Sequence, residues 1–260
     1  MKLYFYVLCF MFFHQAFVLA ENKKNQDQKN HQVEKILTLE ISSSINPATL
    51  SYLSSGYEHA EKNTYDLIVI KMNTPGGLVS TTKKILTLIG DTNIPTAIWV
   101  TPEGASATSA GAIIAAGAHF LAMSNGTNIG AATPIQMGAK DLGEDIRSKA
   151  VNDLVALVNS LSQARGRNTE LFSEMVKNAA SFTAKEAFEK NLIDAIVREE
   201  NELLNKINNH PIQLIGQEKQ IIISPSPQIS PFDMDFGQKL LNFFADPNMA
   251  YILFLLGAAL

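Results

Sequence analysis

Two clusters of small residues hold the side chains best suited to chemistry in this chain. Asn73-Thr-Pro-Gly-Gly77 follows a short apolar run, and Gly104-Ala-Ser-Ala-Thr-Ser-Ala-Gly111 opens a stretch that is mostly alanine and glycine. Ser109 stands where a helix should start. A serine there gains twice: the positive end of the helix favours an alkoxide, and the unpaired N–H groups of the first turn face the same point. A neighbouring Gly-Gly turn can present a second backbone donor at about 2.7–3.1 Å from a developing oxyanion. Ten of the 15 glycines lie between Gly76 and Gly143, a concentration that argues for close approach of backbone to a bound chain. By pattern alone, a serine cap on an ordinary alanine-rich core helix accounts for the same residues equally well.

A serine nucleophile needs a base, and the five histidines serve poorly. His14 lies in an apolar leader, His31 in a polar tract, His210 far downstream, and His59 on a helix with no link to the serine. His119 falls at the far end of the short helix begun by Ser109, roughly 15 Å away. A lysine can act instead when burial and the positive end of a helix favour its neutral amine. Lys140 and Lys149 follow the site. Lys149 is the better placed, in the first turns of a long helix on the side of Ala150 and Leu154, whereas Lys140 lies in a glycine-containing loop. From pattern alone Lys149 reads as an exposed helix charge.

Other chemistries lack their residues. There is no GxGxxG, no GxxxxGK[ST] and no HExxH or Cys/His cluster, so neither a nucleotide cofactor nor a metal is expected. The formal charge of −4, without a basic block, argues against nucleic acid. Hydrophobic residues at 46% and charged residues at 18% describe a chain that folds, and 260 residues suit one α/β domain with appendages.

The elements that must position these residues follow from periodicity. Strands are expected at Ile36–Ile41, Leu67–Ile70, Pro95–Val100 and Phe120–Met123, and helices at Pro47–Lys62, Leu78–Ile89, Ser109–Ala118 and Asp145–Arg165. Ser124–Gly130 reads as a turn-rich loop. Thr183 with Glu186 forms a capping box, and Asn191 ends that helix in the left-handed conformation. A short helix follows Asn201, with strand-like runs at Ile212–Ile215 and Gln220–Ile223. Strands separated by helices of this length imply parallel pairing with right-handed crossovers.

The ends read differently. Residues 1–20, with Lys2, the apolar run Leu3–Phe13 and Val18-Leu19-Ala20, form an expected signal peptide, and with it goes Cys9, the sole cysteine. Residues 21–32 are a polar, flexible tether, 33–216 the folded domain, and 217–245, with the Ser/Pro stretch Ser224–Pro231, a juxtamembrane linker. Residues 246–260 are expected to start a membrane segment: after Asp246-Pro247-Asn248, Met249–Leu260 carries no charge, although its length gives only about 18 Å of helix.

From about Ile36 to Asn208, and again at Asp246-Pro-Asn-Met-Ala-Tyr, the chain resembles the membrane-bound serine proteases of the NfeD type, in the ClpP and signal-peptide-peptidase-A class. The motifs that carry the resemblance are the two clusters above, Asn128-Ile-Gly-Ala-Ala-Thr-Pro-Ile135, Arg165-Gly-Arg-Asn168, Thr183-Ala-Lys-Glu-Ala187 and Leu192-Ile-Asp194. The resemblance implies an α/β fold, a ClpP/crotonase-like spiral of parallel β-β-α units, and a Ser-Lys dyad. Ser109, rather than Ser106, is then the nucleophile and Lys149 the base. Oxyanion donors fall on Gly76 or Gly77 and on Ala110. Two departures concern the groove: Asn73 replaces an aspartate, and Ser43 a glycine.

The expected function is therefore a serine endopeptidase, exported and membrane-associated with its domain on the extracytoplasmic side. Its substrate would be a peptide or protein with an apolar segment, such as a stomatin-like membrane partner, and a homodimer is compatible with this reading. A non-catalytic membrane scaffold that binds such a partner is the alternative. A crotonase-type thioester enzyme ranks below both, because export separates the domain from coenzyme A.

Overall fold

The structure, a computed structural model, describes residues 30–134 and 144–245 together with Met249, Leu255 and Gly257. The expected signal peptide, most of the tether, the loop with Lys140 and nearly all of the apolar tail lie outside the described residues.

A seven-stranded sheet forms the centre. Its strands are β1 (Asn30–Ile41), β2 (Leu67–Met72), β3 (Thr96–Val100), β5 (Phe120–Met123), β8 (Ala195–Ile196), β9 (Pro211–Leu214) and β10 (Gln217–Pro231), in the order β8-β5-β3-β2-β1-β10-β9. Every neighbouring pair is parallel except β10 with β9. A smaller sheet joins β4 (Ser106–Thr108), β6 (Asn128–Gly130) and β7 (Ser181–Thr183) in the order β4-β6-β7. Helices α1 (Pro47–Lys62), α2 (Val79–Asp91), α3 (Ala110–Gly117), α4 (Glu144–Ala164), α5 (Thr169–Lys177), α6 (Ala184–Glu189), α7 (Glu200–Ile207) and α8 (Phe236–Ala245) complete the described elements.

The expected β-β-α spiral is visible in the chain order. β3, β4 and α3 make one unit, and β5, β6 and α4 the next, each placing its first strand in the large sheet and its second in the small one. The central strands β2, β3 and β5 are buried on both faces, which is why they are apolar without alternation. Ile68, Ile70 and Met72 point into the core shared with α1 to α5, while Leu67 and Val69 point into a second core closed by Leu203, Leu204 and Ile207 of α7. Local chemistry sets the helix starts. Asn46 caps α1 in a reciprocal box with Thr49, and Pro47 occupies the first turn, where its missing N–H costs nothing. Thr183 and Glu186 form the expected box on α6, and Asn191 takes a φ of 57°.

Two expected boundaries are corrected. β1 begins at Asn30, inside the stretch read as tether, and β10 occupies much of the stretch read as linker. The two corrections have one cause, since β10 pairs in parallel with β1 along both halves of its length. Asn30–Val33 match Gln220–Ile223, and Lys35–Thr38 match Gln228–Pro231, with a register shift between Val33 and Lys35. Ser224-Pro-Ser-Pro227 fills that shift. A proline has no N–H for a ladder, and a bulge is where a strand tolerates one. The Ser/Pro composition therefore marks an irregular strand rather than a linker. α8 also packs on the domain, against α1.

Four strands were not expected, β4, β6, β7 and β8, each of three residues or fewer. β4 and β6 are three residues each and rich in small side chains, so neither shows a strand period. They exist because the two sheets bring them together.

Candidate active site

Ser109 occupies the residue before α3, with φ 54° and ψ −115°. This is far from the backbone of an ordinary helix cap, and a side chain there costs on the order of 1–3 kcal/mol. Its hydroxyl forms no capping bond to the helix, so the serine is not the ordinary cap that pattern alone allowed. The Ser109 N–H donates to the Gly130 carbonyl (2.9 Å), and its carbonyl accepts from Ala112 (3.0 Å). The backbone is thus held on both sides, and the residue is half-buried.

The Asn73–Gly77 segment forms one wall. Thr74 pairs with β4 through Thr74 N–H to Ser106 O (2.8 Å) and Thr108 N–H to Thr74 O (3.1 Å). Asn73 Oδ1 accepts the Ser106 N–H (3.1 Å), a role an aspartate oxygen would fill equally, so this departure keeps the bond and loses only the charge. On the other side Ile45 pairs with Gly76 and Leu78: its N–H reaches Gly76 O (2.8 Å), and its carbonyl accepts the Leu78 N–H (2.9 Å).

The two glycines divide the work expected of them. The Gly76 N–H is already bound to Thr74 Oγ1 (3.1 Å), so it is not a free donor. The contribution of Gly76 is steric: at φ 112°, a Cβ there would lie 2.6 Å from Ser109 Cβ and 3.0 Å from its Oγ. Gly77 forms no hydrogen bond through its N–H among the described residues, and it is exposed. A Cβ on Gly77 would meet the Ile45 carbonyl at 2.1 Å. Ala110, the first residue of α3, likewise has an N–H without an intrahelical acceptor. Gly77 and Ala110 are therefore the free backbone donors flanking Ser109. Gly111 lets α3 press on Thr74, where a Cβ would approach Cγ2 to 2.5 Å.

Lys149 lies in the second turn of α4 and is exposed, not on the buried side occupied by Leu154 and Val158. No hydrogen bond or ion pair joins it to Ser109 among the described residues. Lys140 lies outside them. Exposed Leu78 and Val79 follow Gly77, and Ile146, also exposed, lies one turn before Lys149.

A group at the other end of α3 carries more of the site than its motif suggested. Arg167 Nη1 donates to the carbonyls of Ala116 (3.2 Å) and Ala118 (3.0 Å), and Nη2 pairs with Asp194 Oδ2 at 2.6 Å. Arg165 Nε donates to Gly117 O (3.1 Å). Two guanidinium groups thus cap the negative end of the helix whose positive end faces Ser109. Asp194 Oδ2 also accepts the Leu121 N–H (2.6 Å), which ties the arrangement to the large sheet. His119 is buried here, accepting the Thr96 N–H at Nδ1 (3.1 Å) and facing Arg165 at Nε2 (3.2 Å). Burial first, then the two arginines, push its pKa down to about 3, so it is neutral and structural. Burial and Arg167 lower Arg165 to about 10, which leaves it charged at neutral pH. A cationic pair two residues apart after a long helix was the available sequence signal, but nothing in it named the carbonyls to be capped. Among the described residues no cluster of His, Cys, Asp or Glu could hold a metal.

Comparison with known proteins agrees with this fold. The family model of the NfeD1b N-terminal domain matches residues 35–214. The membrane-bound protease PH1510 of Pyrococcus horikoshii is 35% identical over 201 residues, which cover 76% of this chain and 45% of that protein, so the chain spans less than half of that relative. Two solved structures of the 1510-N membrane-bound stomatin-specific protease, from the same organism, superpose closely. A serine-to-alanine variant gives a TM-score of 0.71 at 30% identity, covering 78% of this chain and 99% of that one. A lysine-to-alanine variant in complex with a substrate peptide gives 0.74 at 29% identity, covering 82% and 98%. ClpP1 from Listeria monocytogenes, at 18% identity and a TM-score of 0.50 over 70% of this chain and 98% of its own, shares the fold. With its two-sheet α/β spiral and the family match across most of the folded region, the chain belongs to the NfeD1b N-terminal domain family and has a ClpP-like fold.

Proposed function

We propose that this chain is a membrane-associated serine endopeptidase that cleaves apolar peptide segments, with Ser109 as nucleophile and Lys149 as general base. The observation that carries the reading is the strained Ser109, uncapped and flanked by the free N–H groups of Gly77 and Ala110. The neutral Lys149 amine takes the proton from Ser109 Oγ as that oxygen bonds to the scissile carbonyl carbon. Gly77 and Ala110 hold the oxyanion. The lysine then returns the proton to the departing amine, and water hydrolyses the acyl-enzyme.

The position of α4 supports Lys149. Its C-terminal end meets that of α3, where Leu161 and Arg165 contact Gly117. Lys149 stands in the second turn of α4, toward the opposite end of the helix from that contact. An apolar segment laid across Leu78, Val79 and Ile146 would cover Lys149 and strip its amine of water. The serine and lysine variants of the 1510-N protease, and its stomatin specificity, favour a serine-lysine dyad and a stomatin-like substrate.

Ser109→Ala and Lys149→Ala should each abolish cleavage of an apolar peptide while leaving the circular dichroism spectrum intact, and a fluorophosphonate should label Ser109 in the wild type. Normal turnover by Lys149→Ala with loss in Lys140→Ala would move the base to Lys140. The exposure of Lys149, out of contact with Ser109, favours a second reading: a non-catalytic scaffold holding a stomatin-like membrane protein in the same groove. That reading requires an unlabelled wild type and unchanged partner binding by Ser109→Ala.

A further inference from the structure

The last described helix is built inside out. In α8 the side chains turned toward the domain are polar. Gln238 is buried, donates to Ser55 Oγ (3.2 Å) and closes a reciprocal cap with Asp235. One turn later Asn242 Oδ1 accepts from Ser43 Oγ (3.2 Å) and Asn46 Nδ2 (2.9 Å). The side chains turned outward are apolar: Phe236 is 82% exposed and Leu241 60%, and Leu240, Phe243 and Phe244 are also exposed. A surface helix of a soluble domain has the opposite arrangement, and a contiguous apolar face of this kind marks an interaction site.

We infer that this outward face of α8 lies in the interfacial layer of a lipid bilayer, with the domain above it. Three features select lipid as the occupant. Lys239 is the only charge in the helix, so the face can enter a low-dielectric layer with almost no desolvation of charge. In the sequence only Asp246-Pro-Asn248 separates α8 from the uncharged run Met249–Leu260, whose residues prefer hydrocarbon. At ten residues α8 spans about 15 Å, too short to cross a bilayer but suited to lie along its surface. The polar contacts of Gln238 and Asn242 fix the rotation of the helix so that Phe236, Leu240, Leu241 and Phe244 face away from the protein together, with half-exposed Phe243 at their edge beside the cavity lined by Ser43, Ser44 and Asn46.

Docking through this face has a consequence for the site. Ser43 and Asn46, which hold Asn242, flank Ile45, and Ile45 pairs directly with Gly76 and Leu78. The cleft is thereby held close to the membrane, where an apolar segment emerging from lipid could reach it. The inference rests on the membrane association proposed above but not on catalysis.

Lipid quenching tests it in the full chain, reconstituted in phosphatidylcholine vesicles whose acyl chains are brominated near the headgroup. Phe243→Trp and Leu240→Trp should each lose at least about half of the emission they add, as expected for burial about 5–10 Å into the interface. The native Trp99 is buried in the core and sets the baseline. Lys185→Trp, exposed on α6, should lose nothing. Ile252→Trp in the apolar run reports whether the chain enters the bilayer at all. Quenching of Ile252→Trp without Phe243→Trp and Leu240→Trp would overturn the inference and leave the face covered by a second copy or by the apolar run itself. Quenching of none of them would overturn the membrane association as well.

Discussion

Ser109 combines a strained backbone with an unencumbered hydroxyl, and its neighbours determine how far that geometry can be disturbed. Glycine adopts positive φ without the Cβ clash, so Ser109→Gly should be more stable than Ser109→Ala by about 1–2 kcal/mol in urea denaturation, while neither is labelled by a fluorophosphonate. Equal stability of the two variants would mean that the backbone at residue 109 stores no such strain. Gly76→Ala tests the steric role assigned to that residue. Its methyl would overlap Ser109 Cβ, and a displacement of about 1 Å should slow labelling by about a hundredfold. Equal labelling rates for Gly76→Ala and wild type would show that the wall beside Ser109 yields without moving it.

At the scale of elements, α3 is held at both ends by different means: free N–H groups at the Ser109 end and two guanidinium groups at the other. Arg167 is almost fully buried, with 1% of its side chain exposed, and Asp194 is its ion-pair partner. Removing one member of a buried pair leaves the other charge uncompensated, so Asp194→Ala should lower unfolding stability by about 3–5 kcal/mol. A loss below about 1 kcal/mol would mean that water replaces the carboxylate and that the cap on α3 matters little. Most of these elements were legible beforehand. Pro47–Lys62 and Phe120–Met123 match their expected bounds because apolar period, caps and breakers agree there. β4, β6 and the Ser/Pro half of β10 were not legible, since two are too short for a period and the third contains prolines excused by a bulge, whereas the Gln220–Ile223 half of β10 was expected as a strand.

For the molecule as a whole, the fold reaches further along the chain than composition suggests. β10 covers the β1 edge, and β9 pairs with β10 beyond it, so a chain ending at residue 216 would expose a long apolar strand edge. Such a truncation should be insoluble or lack cooperative thermal unfolding. Acid should weaken the intact domain through His119. Its folded pKa, about 3, lies below the ordinary value of 6.5, so between those limits the unfolded chain binds the extra proton. Stability is complete above about pH 6.5 and falls as pH drops toward 3, by up to about 1.4 kcal/mol per pH unit. His119→Gln should flatten that part of the profile in denaturant titrations at stepped pH; an unchanged slope would assign acid sensitivity to other groups.

The types and order of residues determined the class of this protein: an apolar-stranded α/β domain, a serine at the start of a small-residue helix, and glycines beside it. These are local properties, set by period, caps and backbone sterics, and they survive without knowledge of distant partners. Which glycine keeps a free N–H, which carbonyls Arg165 and Arg167 cap, and why Ser224–Pro231 is a strand were decided only when segments far apart in the chain met. Thr74 Oγ1 consumes the Gly76 donor, α3 turns its end toward the guanidinium groups, and β1 offers the Ser/Pro stretch a ladder to join. Hydrogen-bond partners are chosen by proximity in space, and that proximity belongs to the fold.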